Sequence, residues 1–150
     1  MSVERPEDFY QVTEMSPAEC FELAREYQRA AEQLKVIWRP RKAATRAPFR
    51  FTAIHSIELY LTAYLLQAGE PWSAVRSMGH NLQQRYQRAA AKQLVLKKRT
   101  IASLEAISDQ REYVKSRYMA KDASLLELNN LDSVLSRVAE KVSSVFEPHK

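Results

Sequence analysis

Glycine is nearly missing from this chain, with two in 150 residues. Sheet folds use glycine in many tight turns, so its scarcity argues against an all-β protein and favours helices. It also leaves no room for a glycine-rich loop that cradles phosphates. Cysteine is reduced to Cys20, which rules out an intrachain disulfide and a paired Cys-x-x-Cys. A reducing, cytoplasmic setting is the expectation. There is no His-Glu-x-x-His motif. His55 and Glu58 could offer two metal ligands, but His80 and His149 stand in no fixed relation to them. Neither a metal nor a cofactor is therefore expected. The first residues carry Glu4, Glu7 and Asp8 and no apolar run, so no signal peptide is expected. Long apolar runs are absent except in one window, and that window holds Arg50, His55 and Glu58. It reads as a buried helix rather than a membrane span.

That window, residues 49–69, is what the chain does have. Pro48 precedes it and Gly69 stands where a helix-ending glycine belongs. Ile54, Ile57, Leu61 and Leu65 form one apolar stripe. Leu59, Ala63 and Leu66 form another, as expected of a helix covered on several sides. Thr52, His55, Glu58 and Thr62 make a polar line at steps of three and four. Such a line either faces water or lines a polar site.

Around this helix the rest falls into order. Residues 1–15 read as an arm, and residues 16–147 as a single helical domain. Ser16-Pro17-Ala18-Glu19 is a capping-box start. Cys20, Leu23, Ala24, Tyr27, Ala31, Leu34 and Trp38 follow as one apolar face, ended by Pro40. A short segment runs to Met78-Gly79. His80 or Asn81 then opens a third helix with Leu82, Tyr86, Ala89, Ala90 and Leu94 on its apolar side. Residues 97–99 read as a connection. A fourth pattern runs through Ile101, Leu104, Ile107 and Val114, and Asn129-Asn130 read as a stop or cap. Leu131, Val134, Leu135, Val138, Val142, Val145 and Phe146 form a last seam before Pro148. The expectation is an all-α, up-and-down bundle of four to five helices.

Charge is unevenly placed. Residues 39–50 hold Arg39, Arg41, Lys42, Arg46 and Arg50. Residues 85–99 hold Arg85, Arg88, Lys92, Lys97, Lys98 and Arg99. Together these are 11 of the 23 cations, with none of the 18 acids. This segregation suggests a surface for a polyanion; solvated loops and helix ends are the plainer reading.

Three segments carry a family resemblance. His55-Ser-Ile-Glu-Leu-Tyr-Leu-Thr-Ala-Tyr-Leu-Leu, ending in a glycine, resembles the second helix of HEPN domains. Gly79-His80-Asn81-Leu82 is similar to the family's short signature at the start of its third helix. Tyr113-Val-Lys-Ser-Arg117-Tyr118 resembles the Arg-Tyr stretch ahead of the last helix. The resemblance spans roughly residues 17–146. It implies a small, commonly homodimeric, helical bundle from a toxin–antitoxin or RNA-targeting defence system, often beside a nucleotidyltransferase. Active members of that family cut RNA without metal, using an arginine followed four to six residues later by a histidine. The histidine handles the 2′-hydroxyl proton and the arginine holds the phosphate. After Arg117 no histidine follows within that distance. Arg50 and His55 have a similar gap, but on a helix they lie about 140° apart and do not converge.

The resulting expectation is a non-catalytic HEPN-like protein that binds RNA or a nucleotide. The candidate phosphate- or ligand-binding residues are Arg117, Tyr118, Glu58, His55, Arg50, Lys97 and Arg99. Glu58 is expected to bond to His55 or to a neighbouring helix, or to pair with Arg117. Two alternatives stand beside this reading. One is an antitoxin or scaffold acting through protein contacts alone, for example with a nucleotidyltransferase. The other is a metal-independent ribonuclease using His55 or His80.

Overall fold

Six α-helices and no strand occur among the residues that the computed structural model describes, 14–109 and 128–148. The all-α bundle is as expected; a short helix between the second and third long helices raises the count to six. Arg117 and Tyr118 lie outside the described residues.

Helix α1, Pro17–Leu34, begins with a complete capping box. The Glu19 amide donates to Ser16 Oγ at 3.1 Å, and the Ser16 amide donates to Glu19 Oε1 at 3.3 Å. Its buried face is Cys20, Phe21, Ala24 and Ala31. Leu23, expected inside, is exposed, and Phe21 takes that place, stacked on Phe146 at 4.5 Å. The helix stops at Leu34 and tightens into a 3-10 turn, Lys35–Ile37, well before Pro40.

Helix α2, Ala43–Gln67, starts earlier than Pro48 suggests. Pro48 lies inside the helix, where it forgoes one backbone bond to Ala44. Residues 43–48, with Arg46, are therefore helical, while Arg39, Arg41 and Lys42 precede the helix. At the other end the Gly69 amide donates to Leu66 and the Glu70 amide to Leu65, with Gly69 at φ +95°. That is the paired bond pattern of a glycine-terminated helix.

Helix α3, Trp72–Ser77, is a short return. Helices α4, Leu82–Ala91, and α5, Lys98–Asp109, form an antiparallel pair, with the Gln83 amide donating to Ser108 Oγ at 2.9 Å. Residues 98 and 99 begin α5 rather than connecting to it. Helix α6, Leu128–Phe146, includes Asn129 and Asn130 in its first turn, so the asparagines neither stop nor cap a helix. Its inner side is Leu131, Val134, Leu135, Val138, Ala139 and Val142, while Val145 is exposed.

Helix α2 is the axis of the packing. It contacts α1, α3, α4 and α6. α1 lies antiparallel to it: Cys20 Sγ donates to the Leu59 carbonyl at 3.4 Å, and Ser56 Oγ donates to that of Ala24 at 2.8 Å. The small residues Ala24, Ala31, Ala53 and Ala63 in the core allow close helix approach. α6 runs antiparallel to α1, pinned by Lys35–Asp132 at 2.9 Å and Arg25–Glu147 at 2.8 Å.

Candidate functional site

The polar line of α2 does not face water along its length. Thr62 and Glu58 are buried, and only His55 and Thr52 are half-buried. Thr62 Oγ1 donates to the Glu58 carbonyl at 2.8 Å, a bond inside the helix that uses up its hydroxyl. Glu58 itself is 7% exposed, so its carboxylate needs partners in place of water.

Those partners come from the turn between α3 and α4. His80 Nδ1 lies 3.0 Å from Glu58 Oε2 and 3.2 Å from Oε1. Arg85 Nη2 stands 3.5 Å from Oε1. Arg85 is 4% exposed and also donates to the carbonyls of Val75, at 3.2 Å, and Gly79. Burial lowers the Arg85 pKa and the Glu58 charge opposes that shift. Cys20 lies in the same field; burial pushes its thiol up to about 12, with Arg85 pulling the other way.

Each residue of Gly79-His80-Asn81-Leu82 thus has a physical task. Gly79 adopts φ +56°, a conformation that side chains disfavour, and offers its carbonyl to Arg85. His80 reaches Glu58. Asn81 caps α4, its Oδ1 accepting from the Gln84 amide at 2.9 Å. Leu82 is buried in the core. Asn81 and Ser108 together satisfy amides at the start of α4, so this helix end has its acceptors from within the fold.

The sequence leads one to expect Glu58 to meet His55, a neighbouring helix or Arg117. It meets Arg85 of the neighbouring helix α4, and His80 just before that helix, rather than His55; Arg117 lies outside the described residues. The missed signal is that Leu82, Arg85 and Ala89 share one stripe of α4, which is its buried stripe. His55 turns to other rings. Tyr27 meets it edge-on at 4.6 Å, and the Phe51 ring lies near-parallel to it at 6.5 Å. Its Nδ1 is buried without a hydrogen-bond partner among the described residues, and burial lowers its pKa. Arg50, expected on a phosphate-binding surface, is 2% exposed and belongs to the core of the helix.

Chemically, a half-exposed imidazole braced by a buried carboxylate has the geometry of a proton-transfer pair. The nearest guanidinium, however, is turned inward. Arg85 directs Nη1 and Nη2 to Glu58 and two carbonyls and is 4% exposed, so it is not presented to a phosphate outside. No cluster of three or more His, Cys, Asp or Glu suited to a metal occurs among the described residues.

Lys97 and Arg99, with Lys92 and Lys98, are exposed. The cations of α1 and the turn after it are neutralised: Arg25 by Glu147, Arg29 by Glu26, and Lys35 by Glu32 and Asp132. By contrast, Lys92, Lys97, Lys98 and Arg99 have no carboxylate within 4.0 Å among the described residues, nor do Arg39, Arg41 and Lys42. The two groups do not form one patch. Tyr64 donates to the Lys92 carbonyl near the end of α2, whereas residues 39–42 precede its start. At the rise of an α-helix these ends are about 30 Å apart.

The fold and site define an all-α bundle in which buried Glu58 and Arg85 and half-exposed His80 form a brace, with two basic ends that have no carboxylate within 4.0 Å among the described residues. No helix among the described residues is long and apolar enough to cross a membrane. Comparison of the chain with protein-family models, with curated proteins and with solved structures gives no match.

Proposed function

We propose that this chain is a non-catalytic, HEPN-like helical protein that binds RNA or a nucleotide through phosphate contacts. The observation that carries this reading is the set of exposed cations with no carboxylate within 4.0 Å among the described residues, Lys92, Lys97, Lys98 and Arg99 towards one end of α2 and Arg39, Arg41 and Lys42 at the other. Lone surface cations repel one another and favour a polyanion that releases its counterions on binding. The inward turn of Arg85 and the lack of a histidine shortly after Arg117 support a binding role over a cleaving one. Short RNA should bind at low salt and weaken steeply as salt rises. Lys97→Ala with Arg99→Ala should weaken it about tenfold by fluorescence anisotropy. Affinity unchanged by this pair would end the reading.

A second reading is a scaffold or antitoxin that works through a protein contact, such as a nucleotidyltransferase. It draws on Val36, 85% exposed, and Ile37 beside it, an aliphatic pair left outside the core. Purification from the native host with a stoichiometric protein and no nucleic acid would favour it.

A further inference from the structure

Val36 and Ile37 belong to the 3-10 turn after α1, and both stand outside the core, 85% and 47% exposed. Val95, 71% exposed, stands alone between buried Leu94 and Leu96. A lone exposed aliphatic is ordinary, whereas a pair at the tip of a turn marks a surface that meets something apolar. The turn is held from beneath. Trp38 packs edge-on against fully buried Phe49, with ring centroids 5.7 Å apart. The Arg39 amide donates to Thr45 Oγ1 at 2.9 Å, and that hydroxyl donates to the Lys42 carbonyl at 2.7 Å. Arg46 Nη1 donates to the Pro40 carbonyl at 2.6 Å. Residues 38–42 are thereby fastened to α2, and the tip is preorganised. Arg39, Arg41 and Lys42 are exposed there with no carboxylate within 4.0 Å among the described residues, while Lys35 of the same turn takes both Glu32 and Asp132. Phosphates occur in RNA and in lipid headgroups alike, so the cations fit both. The aliphatic pair separates the two. Bases stack on aromatic faces, and a strand has no apolar interior for a β-branched side chain to enter. A stable protein interface takes roughly 800 Å² per partner, of which this pair would be one small part. A bilayer surface needs only a tip, because its acyl chains begin just beneath the anionic headgroups.

We propose that the turn from Lys35 to Lys42 docks the chain on an anionic lipid surface, with Val36 and Ile37 entering between the headgroups and Arg39, Arg41 and Lys42 held by the headgroup anions. The chain then lies on the bilayer by the start of α2 and does not cross it. The inference goes beyond the RNA reading above. It assigns one of the two basic ends to lipid and leaves Lys92, Lys97, Lys98 and Arg99, roughly 30 Å away along α2, to RNA.

The test is co-sedimentation of the full chain with vesicles of phosphatidylcholine alone and of phosphatidylcholine with about one-third phosphatidylserine. The chain should bind the anionic vesicles only, and less as salt rises. Val36→Ser with Ile37→Ser should weaken that binding about tenfold, and Val36→Leu with Ile37→Leu should preserve it. Val36→Ser alone should act in the same direction if the double serine variant fails to fold. Arg39→Ala, Arg41→Ala and Lys42→Ala together should weaken it roughly a hundredfold. Lys97→Ala with Arg99→Ala, more than a Debye length from the tip, should leave vesicle binding unchanged while weakening RNA. No binding to anionic vesicles at low salt would overturn this inference and leave the RNA reading standing. Vesicle binding untouched by the serine pair, or weakened equally by substitutions at the two basic ends, would mean general adsorption of a basic protein and would also overturn it. A serine pair that weakens RNA binding but not vesicle binding would return the turn to the RNA reading.

Discussion

A carboxylate buried as deeply as Glu58 is tolerated only where cations and donors replace the lost water. Arg85 and His80 do so unequally: Arg85 is buried with Glu58, whereas half of the His80 side chain remains in solvent. Removing one member of a buried pair leaves the other uncompensated. Glu58→Ala should therefore destabilise the protein by about 3 kcal/mol in urea unfolding. His80→Ala should cost no more than about 1 kcal/mol, as expected for a partly exposed bond. The reverse order would show that the imidazole, not the guanidinium, holds the turn. His55 makes a pH prediction. Its folded pKa lies below the ordinary 6.5, so the folded state resists the proton. The neutral ring's contribution is fully present above about pH 6.5. It declines as pH falls below that value, because the unfolded chain protonates first. The urea midpoint should fall more between pH 7 and pH 5 in the unaltered protein than in His55→Gln; parallel curves would contradict this. Cys20 is 0% exposed with a thiol raised to about 12. At pH 8 it should resist iodoacetamide in the folded protein and react promptly in urea. Fast labelling without denaturant would mean that α1 parts readily from α2.

At the scale of elements, the turn from α3 to α4 is where local chemistry and tertiary contact meet. Gly79 has open space around its Cα but φ +56°, so a side chain there suffers from backbone conformation rather than collision. Gly79→Ala should cost about 1 kcal/mol, and Gly79→Asn less, since asparagine tolerates that region. Equal thermal shifts for the two would point to a steric cause instead. Much of this level was legible in the sequence. Ser16 and Glu19 cap α1, Asn81 caps α4 and Gly69 ends α2, because a cap is written in adjacent residues. Pro48 misleads, since a helix can forgo one backbone bond where the rest of its length is held by a core. Arg50 and Arg85 belong to the basic stretches of the sequence, yet each lies on an apolar stripe of its own helix: Arg50 with Ile54, Ile57 and Leu61, and Arg85 with Leu82 and Ala89. Composition sums charge along the chain, but periodicity decides which way it points. The pairing of Glu58 with a residue 27 positions away needed the return of α3, which no local pattern encodes.

For the whole molecule, the bundle brings neutral and charged surfaces into different places. Acids pair with the cations of α1, whereas Lys92, Lys97, Lys98 and Arg99, and Arg39, Arg41 and Lys42, have no carboxylate within 4.0 Å among the described residues. A polyanion bound there releases counterions, so its affinity depends on salt in proportion to the phosphates engaged. The deciding measurement is the affinity of single-stranded RNA over a salt series, for the unaltered chain and for Lys97→Ala, Lys98→Ala, Arg99→Ala together. The logarithm of affinity should fall linearly with that of salt, and the triple variant should lose about 2 from the slope, near 0.7 per contact removed. RNA that does not bind at low salt, or a slope the three substitutions leave unchanged, would contradict the account.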